Sequence, residues 1–145
     1  MPDVPLADMY GNTISANELV NPKGPLMITF FATWCDPCCQ ELNVIKSIYP
    51  ELQERYGLGL VVVSIDKYPN QVPIVANMMR QHGWDQFPLY FDVDRKLTDE
   101  LQVQTIPSTL YVSPDGKIFE EVNGYDGDTP EEHIREVLDK MTASK

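Results

Sequence analysis

Two cysteines separated by two residues, Cys35 and Cys38, close the stretch Phe30-Phe31-Ala32-Thr33-Trp34-Cys35-Asp36-Pro37-Cys38. A pair so spaced is a dithiol able to open and close. Where a strand feeds straight into a helix, the first cysteine sits at the helix N-terminus, and there unpaired backbone N–H groups and the helix dipole stabilise a thiolate. The second lies one turn further in, within reach to form a ring. Pro37 suits the first helical turn, because its missing N–H would have had no partner there and its φ is already helical. Asp36, between the cysteines, opposes thiolate formation by like-charge repulsion. The disulfide carries no such charge, so the pair is expected to be reducing, nearer roughly −270 mV than the roughly −120 mV of a strong oxidant.

The elements that must position this pair are legible from periodicity. Met27 to Ala32 and Leu60 to Ile65 are short apolar, β-branched or aromatic runs bounded by glycine, proline or charge, which predicts buried strands. Between them Leu42, Ile45, Ile48, Tyr49 and Leu52 recur at three- and four-residue steps from Cys38, and Gly57 is placed to stop the helix. This βαβ unit implies parallel strands and a right-handed crossover. A second helix is predicted over 71–82, with Ile74, Val75, Met78 and Met79 inward and Gly83 after its end. A strand over 87–91 and a short helix over 95–102 follow. Thr109 to Val112 and Lys117 to Val122 flank the turn Ser113-Pro114-Asp115-Gly116 and form a hairpin. Thr129-Pro130-Glu131-Glu132 reads as a capping box opening a terminal helix whose apolar face is Ile134, Val137, Leu138 and Met141. The first 24 residues, rich in Pro, Asn and Asp, form an extended or hairpin lead-in. The order predicts an α/β chain, a single domain over 1–145, with a central mixed sheet covered on both sides.

At 145 residues the chain can bury a core without disulfide staples or a structural metal. Its 11 basic against 22 acidic residues give a net charge of −11, which disfavours nucleic acid and anionic membrane surfaces as partners. Its apolar runs fall well short of the ~18 residues of a spanning helix. The opening Met1-Pro2-Asp3-Val4-Pro5 lacks the basic and apolar regions of a secretory signal, so the chain is expected either to be cytosolic or to have been separated from its signal or anchor. Three cysteines, two of them in the C-x-x-C, read as redox chemistry or half of a metal site rather than a disulfide scaffold. His82 and His133 stand alone at distant positions and supply no second half of a zinc site.

Trp34-Cys35-x-Pro37-Cys38 after a buried strand, with Thr105-Ile106-Pro107-Ser108-Thr109 downstream and a hairpin plus helix to finish, resembles the thioredoxin superfamily over nearly the whole chain. The lead-in PDVPLADMYGNTIS, the phrase FFATWC and the αβ insert between the second and third strands are similar to the TlpA/ResA group of extracytoplasmic thiol–disulfide oxidoreductases. The resemblance implies a thioredoxin fold with an N-terminal extension over 1–24 and a central insert. It implies that Cys35 is the exposed nucleophile, Cys38 the buried resolving cysteine and Pro107 a cis-proline. Trp34, Asp36, Pro37, Ile106 and Pro107 would then form the substrate surface, the amide edge of Ile106 receiving an extended substrate by strand addition. Thr29 stands where thioredoxin itself carries a buried acid. Glu41, three residues beyond Cys38 on the same helical face, takes that part instead. The proline that often follows two residues later in the group is Asn43 here.

The resemblance further implies protein disulfides as substrates, among them the heme-attachment cysteines of an apocytochrome, and a membrane thiol protein as electron donor. It implies an extracytoplasmic site, a membrane anchor outside this stretch of chain and a monomer. Dithiol exchange needs no organic cofactor and no metal. Trp34 is expected to pack over the site, and Cys39 to be a partly exposed thiol beside Asn43 and Lys46. The rival class is a copper carrier of the Sco type, in which Cys35 and Cys39 read as C-x-x-x-C with His133 or His82 as the distant ligand. His82 falls in the last turn of a helix and His133 on the exposed side of the terminal one, which gives both an ordinary explanation. A peroxidase of the peroxiredoxin kind shares the architecture, but it wants a threonine placed before a lone nucleophilic cysteine, and Thr33-Trp34-Cys35 lacks the spacing.

Overall fold

The computed structural model describes residues 1–125 and 127–143. Seven strands form one mixed sheet in the order β2-β1-β5-β4-β3-β6-β7. The lead-in is the hairpin β1 (Pro5–Ala7) and β2 (Thr13–Ser15), followed by a 3-10 turn over Ala16–Glu18. Asp8 closes it, its Oδ1 accepting from the backbone N–H groups of Tyr10 and Asn12 at 2.8 and 2.9 Å. β3 (Leu26–Phe31), α1 (Asp36–Tyr56) and β4 (Gly59–Ser64) make the expected parallel unit. α2 (Val72–His82) leads to β5 (Leu89–Asp92), parallel to β4. The chain then passes through a 3-10 turn over Val93–Arg95 and α3 (Lys96–Glu100) to the antiparallel pair β6 (Ser108–Val112) and β7 (Ile118–Asn123), and ends in α4 (Pro130–Ala143).

Every residue of β3 is buried, so the middle of the sheet is covered on both faces. Parallel crossovers are right-handed by strong preference and place α1 and α2 on one face. Trp84, among the largest fully buried side chains, joins the two: its Nε1 donates to Asn43 Oδ1 at 3.1 Å and its ring meets Phe31 edge-on at 6.0 Å. The position that lacks the group's proline thus serves as an acceptor for a buried indole. Lys46 Nζ, donating to His82 O at 3.0 Å, completes the contact. α4 packs beside α1, with Arg135 bound to Glu51 at 2.6 Å and Ile134, Val137 and Leu138 turned inward. α1 ends at Gly57, which takes the left-handed φ of 69° that a Cβ would strain. Gly24 lies so close to this end that a Cβ there would stand 2.6 Å from Tyr56 O.

Strand and helix ends move by one or two residues from the sequence expectation, and three differences have identifiable causes. β5, expected over 87–91, starts at Leu89, since Pro88 has no N–H for the ladder. The helix expected over 95–102 shrinks because Asp94, Arg95 and Gln102 have φ of 55°, 56° and 58°, outside helical space. Ile74, assigned to the inner face of the second helix, is 54% exposed; Val75, Ala76 and Met79 are the buried positions. No helix among the described residues is long and apolar enough to cross a membrane.

Candidate active site

Cys35 is the N-cap of α1, and its backbone is extended (φ −105°, ψ 99°). Its Sγ accepts from the Cys38 backbone N–H at 3.3 Å, so the sulfur rests on one of the donors that a helix start leaves without a partner. Cys35 and Cys38 are joined as a disulfide. In this closed form both are buried, Cys35 at 6% and Cys38 at 2% exposure, which corrects the expectation of an exposed first cysteine. The sulfur that caps the helix folds back over its first turn, leaving Asp36 and Pro37 on the surface.

Trp34 is 68% exposed rather than packed over the pair. The reason lies one residue earlier. Thr33 is bound inward by Asp66, whose carboxylate accepts from Thr33 N at 3.1 Å and from Thr33 Oγ1 at 2.8 Å, and the next side chain therefore points out. Grooves meet the indole from several sides, one running toward Ile74 and Met78, another toward Arg95, Val103 and Ile106. Pro107 is buried, Ile106 is half-buried, and the bond between them is cis.

Glu41 is 8% exposed. Its Oε1 accepts from Thr29 Oγ1 and Thr109 Oγ1, each at 3.1 Å, and these two threonines are cross-strand partners in the β3–β6 pair. The residue that replaces an acid on β3 thus holds an acid from α1. Burial pushes the Glu41 carboxyl above its ordinary value, against the opposing pull of the two hydroxyls. The Tyr111 phenol is pushed up as well, by burial first and then by the negative charges of Glu41 and Glu120.

A cavity of about 430 Å³ opens beside Glu41, lined also by Met27, Thr109, Tyr111, Tyr125, Ile134 and His133. His133, expected on the exposed side of its helix, is half-buried, and its Nε2 is covered, with no hydrogen-bond partner among the described residues. The helical wheel places it away from the apolar stripe, but Gly124 and Tyr125 after β7 line the same cavity beside it.

Asp66 escaped the sequence reading altogether. At 5% exposure, it also accepts from Ser64 Oγ at 2.7 Å. It lies two residues past the end of β4, and the carboxyl ends of parallel strands are where sites gather. That placement, with the pattern Ser64-x-Asp66, was the available signal.

Cys39 is half-buried, as expected, and burial followed by the Asp36 charge raises its thiol. The His82 ring stacks on Trp84 at 4.3 Å. The described residues hold no cluster of three or more His, Cys, Asp or Glu side chains suited to a metal ion.

The AhpC/TSA family model matches residues 1–120. The chain is 29% identical over 123 residues to the thiol–disulfide oxidoreductase ResA of Bacillus subtilis (strain 168), a match covering 85% of this chain and 65% of that protein. With ResA of Bacillus thuringiensis (strain Al Hakam) it shares 27% over 141 residues, 97% of this chain and 76% of the relative. The chain thus spans about two thirds to three quarters of the length of these relatives. Its fold superposes with a TM-score of 0.85 on the solution structure of an uncharacterized thioredoxin-like protein from Porphyromonas gingivalis, at 30% identity and covering 100% of this chain and 94% of the other.

Proposed function

The chain belongs to the AhpC/TSA family and is a thiol–disulfide oxidoreductase of the ResA, thioredoxin-like type, and on that premise we propose that it reduces protein disulfides through Cys35 and Cys38. The observation that carries this reading is the Cys35 sulfur seated on the Cys38 N–H at the start of α1. The same donor and the helix dipole favour a thiolate at Cys35 once the pair is reduced. That thiolate attacks a partner disulfide and forms a mixed disulfide while the partner's other sulfur leaves. Glu41 takes the proton from Cys38, and the Cys38 thiolate attacks Cys35 Sγ. The Cys35–Cys38 bond forms, the bond to the substrate breaks, and the electron pair departs on the substrate sulfur, which picks up a proton from water.

An extended substrate lies against the backbone edge of Ile106 and Pro107, flanked by Trp34, Asp36 and Pro37. We place the reaction outside the cytoplasm, as in the TlpA/ResA group. The chain works there as a monomer, its electrons come from a membrane thiol protein, and its substrates include the heme-attachment cysteines of an apocytochrome. A Sco-like copper site would need Cys35 free to join Cys39, and a peroxidase would need it alone. The pairing of Cys35 with Cys38 favours neither.

The midpoint potential of the pair, measured against glutathione or dithiothreitol in a Cys39→Ser background, tests the direction of the reaction. A value at or below about −250 mV supports a reductase, and one above about −180 mV turns the reading toward an oxidant or isomerase.

A further inference from the structure

We propose that α2 supplies a second substrate subsite: Ile74 and Met78, in one groove with the indole of Trp34, take an apolar side chain that stands beside the disulfide of a protein substrate. This rests on the reading of Cys35 and Cys38 as a protein disulfide reductase, and it names which disulfides that reductase prefers.

Two stripes run along α2. Val75, Ala76 and Met79 are its buried residues. Ile74, Asn77, Met78 and Gln81 recur at i, i+3, i+4 and i+7, the spacing of one helix face, and all four line the groove with Trp34. A helix face turned to water ordinarily carries charge. This one does not: among the described residues lining the groove there is no Asp, Glu, Lys or Arg, on a chain with 11 basic and 22 acidic residues. The grooves on the other sides of Trp34 are charged, one lined by Lys67, Asp94 and Arg95, the other by Arg95 and Asp99.

Exposure points the same way. Trp34 and Ile74 are 68% and 54% exposed, and among the described residues only Tyr10 leaves a larger share of a big apolar side chain in water. Apolar side chains gathered in one place and rimmed by amides mark a surface that another molecule covers. Tryptophan is a favoured anchor of such surfaces, methionine adapts to varied partners, and charge is depleted at their centre.

The occupant is the polypeptide that carries the disulfide. Trp34 immediately precedes Cys35, and its indole also borders the groove that reaches Ile106. A chain laid on the Ile106 edge with its sulfur on Cys35 therefore passes this ring, and the α2 groove opens on the ring's other side. The Asp66 carboxylate, accepting from Thr33 N at 3.1 Å and Thr33 Oγ1 at 2.8 Å, holds that wall in place. A wall set before binding costs little ordering when the substrate arrives.

The test uses the whole chain, reduced and in a Cys39→Ser background, mixed with an excess of short peptides closed by one disulfide. The peptides carry leucine or serine at the two positions before the first cysteine or after the second. Reactions are quenched with acid, and each rate is divided by that of the same peptide with dithiothreitol, so differences in the disulfide itself cancel. The parent is expected to prefer a leucine peptide by roughly 10-fold, from partial burial of one leucine side chain in an open groove. Ile74→Ser and Met78→Ser should each cut that preference to roughly 3-fold or less, while Ile74→Leu, which keeps the apolar bulk, retains it. A parent that reduces leucine and serine peptides equally would overturn the subsite, free the stripe for the electron donor and leave the reductase reading standing. A preference that survives intact in both serine variants would move the apolar contact away from α2. Sedimentation adds a third check: a dimer that Ile74→Ser dissolves would give the stripe to a second copy of the chain. If no peptide is reduced at all, the reductase reading falls and the subsite with it. Should Met78→Ser fail to fold, Ile74→Ser, at the more exposed position, decides the matter alone.

Discussion

Glu41 and Asp66 are both buried carboxylates, yet Glu41 is held through one oxygen by two threonine hydroxyls, whereas Asp66 is held through both, by the Thr33 backbone N–H and the hydroxyls of Thr33 and Ser64. Glu41 borders a cavity; Asp66 reaches only the surface groove beside Trp34. A carboxylate tied at both oxygens fixes the chain around it. One with an oxygen to spare, beside open space, can take up and give back a proton. The same functional group is put to two uses by the number and kind of its partners.

That contrast breaks first at Asp66. Asp66→Ala leaves a backbone N–H and two hydroxyls beneath the turn without their acceptor, and at about 1 kcal/mol or more for each the loss should reach about 3 kcal/mol in urea unfolding. A loss under about 1 kcal/mol would show that the turn does not depend on this carboxylate. Glu41→Gln should do the reverse. It keeps stability within about 1 kcal/mol while resolution of a mixed disulfide at Cys35 slows by roughly 100-fold, equivalent to about 2.7 kcal/mol in the barrier. Equal losses of stability in the two variants would erase the distinction.

A smaller effect sharpens it. Burial raises the Glu41 carboxyl above 4.5, so above that pH the folded chain keeps a proton that the unfolded chain has lost. The stability this confers is fully present below 4.5 and is lost as pH rises through the raised value. Glu41→Gln removes that decline, and the variant should gain on the parent as pH climbs from about 4.5 toward neutrality. Parallel stability curves for the two proteins would contradict it. The smallest effect belongs to Trp34→Ala. With the ring 68% exposed, stability should change by less than about 0.5 kcal/mol, and only KM for a protein disulfide should rise.

The sequence makes Glu41 visible because its neighbours are local: three residues from Cys38, with Leu42 and Ile45 beside it on a helix whose period is plain. Asp66 is hidden because its meaning depends on Thr33, 33 residues away, and on β3 and β4 ending side by side. His133 is misread for a related reason. A helical wheel reports the face a residue takes on its own helix, and the cavity that buries its Nε2 is walled by β6, α1 and the segment after β7. Ile74 fails in the opposite sense, since apolar spacing alone does not set the roll of α2, and the side chain comes to rest in the groove with Trp34. The strands, α1 with its glycine stop, and the β6–β7 hairpin needed no such distant information and lie within one or two residues of expectation.

β7 forms one border of the sheet, with Ile118 and Phe119 partly in solvent and Glu120 and Glu121 beside them. An open border of this kind is a template on which a second polypeptide can add a strand. Here the ladder is also irregular between Tyr111 and Val112, and the opposite border, β2, is only three residues long. Two molecules meeting along β7 would set glutamates against glutamates on a chain that already carries a net charge of −11. The acidic composition therefore acts as a gatekeeper against fibrous self-association, at an edge strand where two apolar side chains would otherwise invite it.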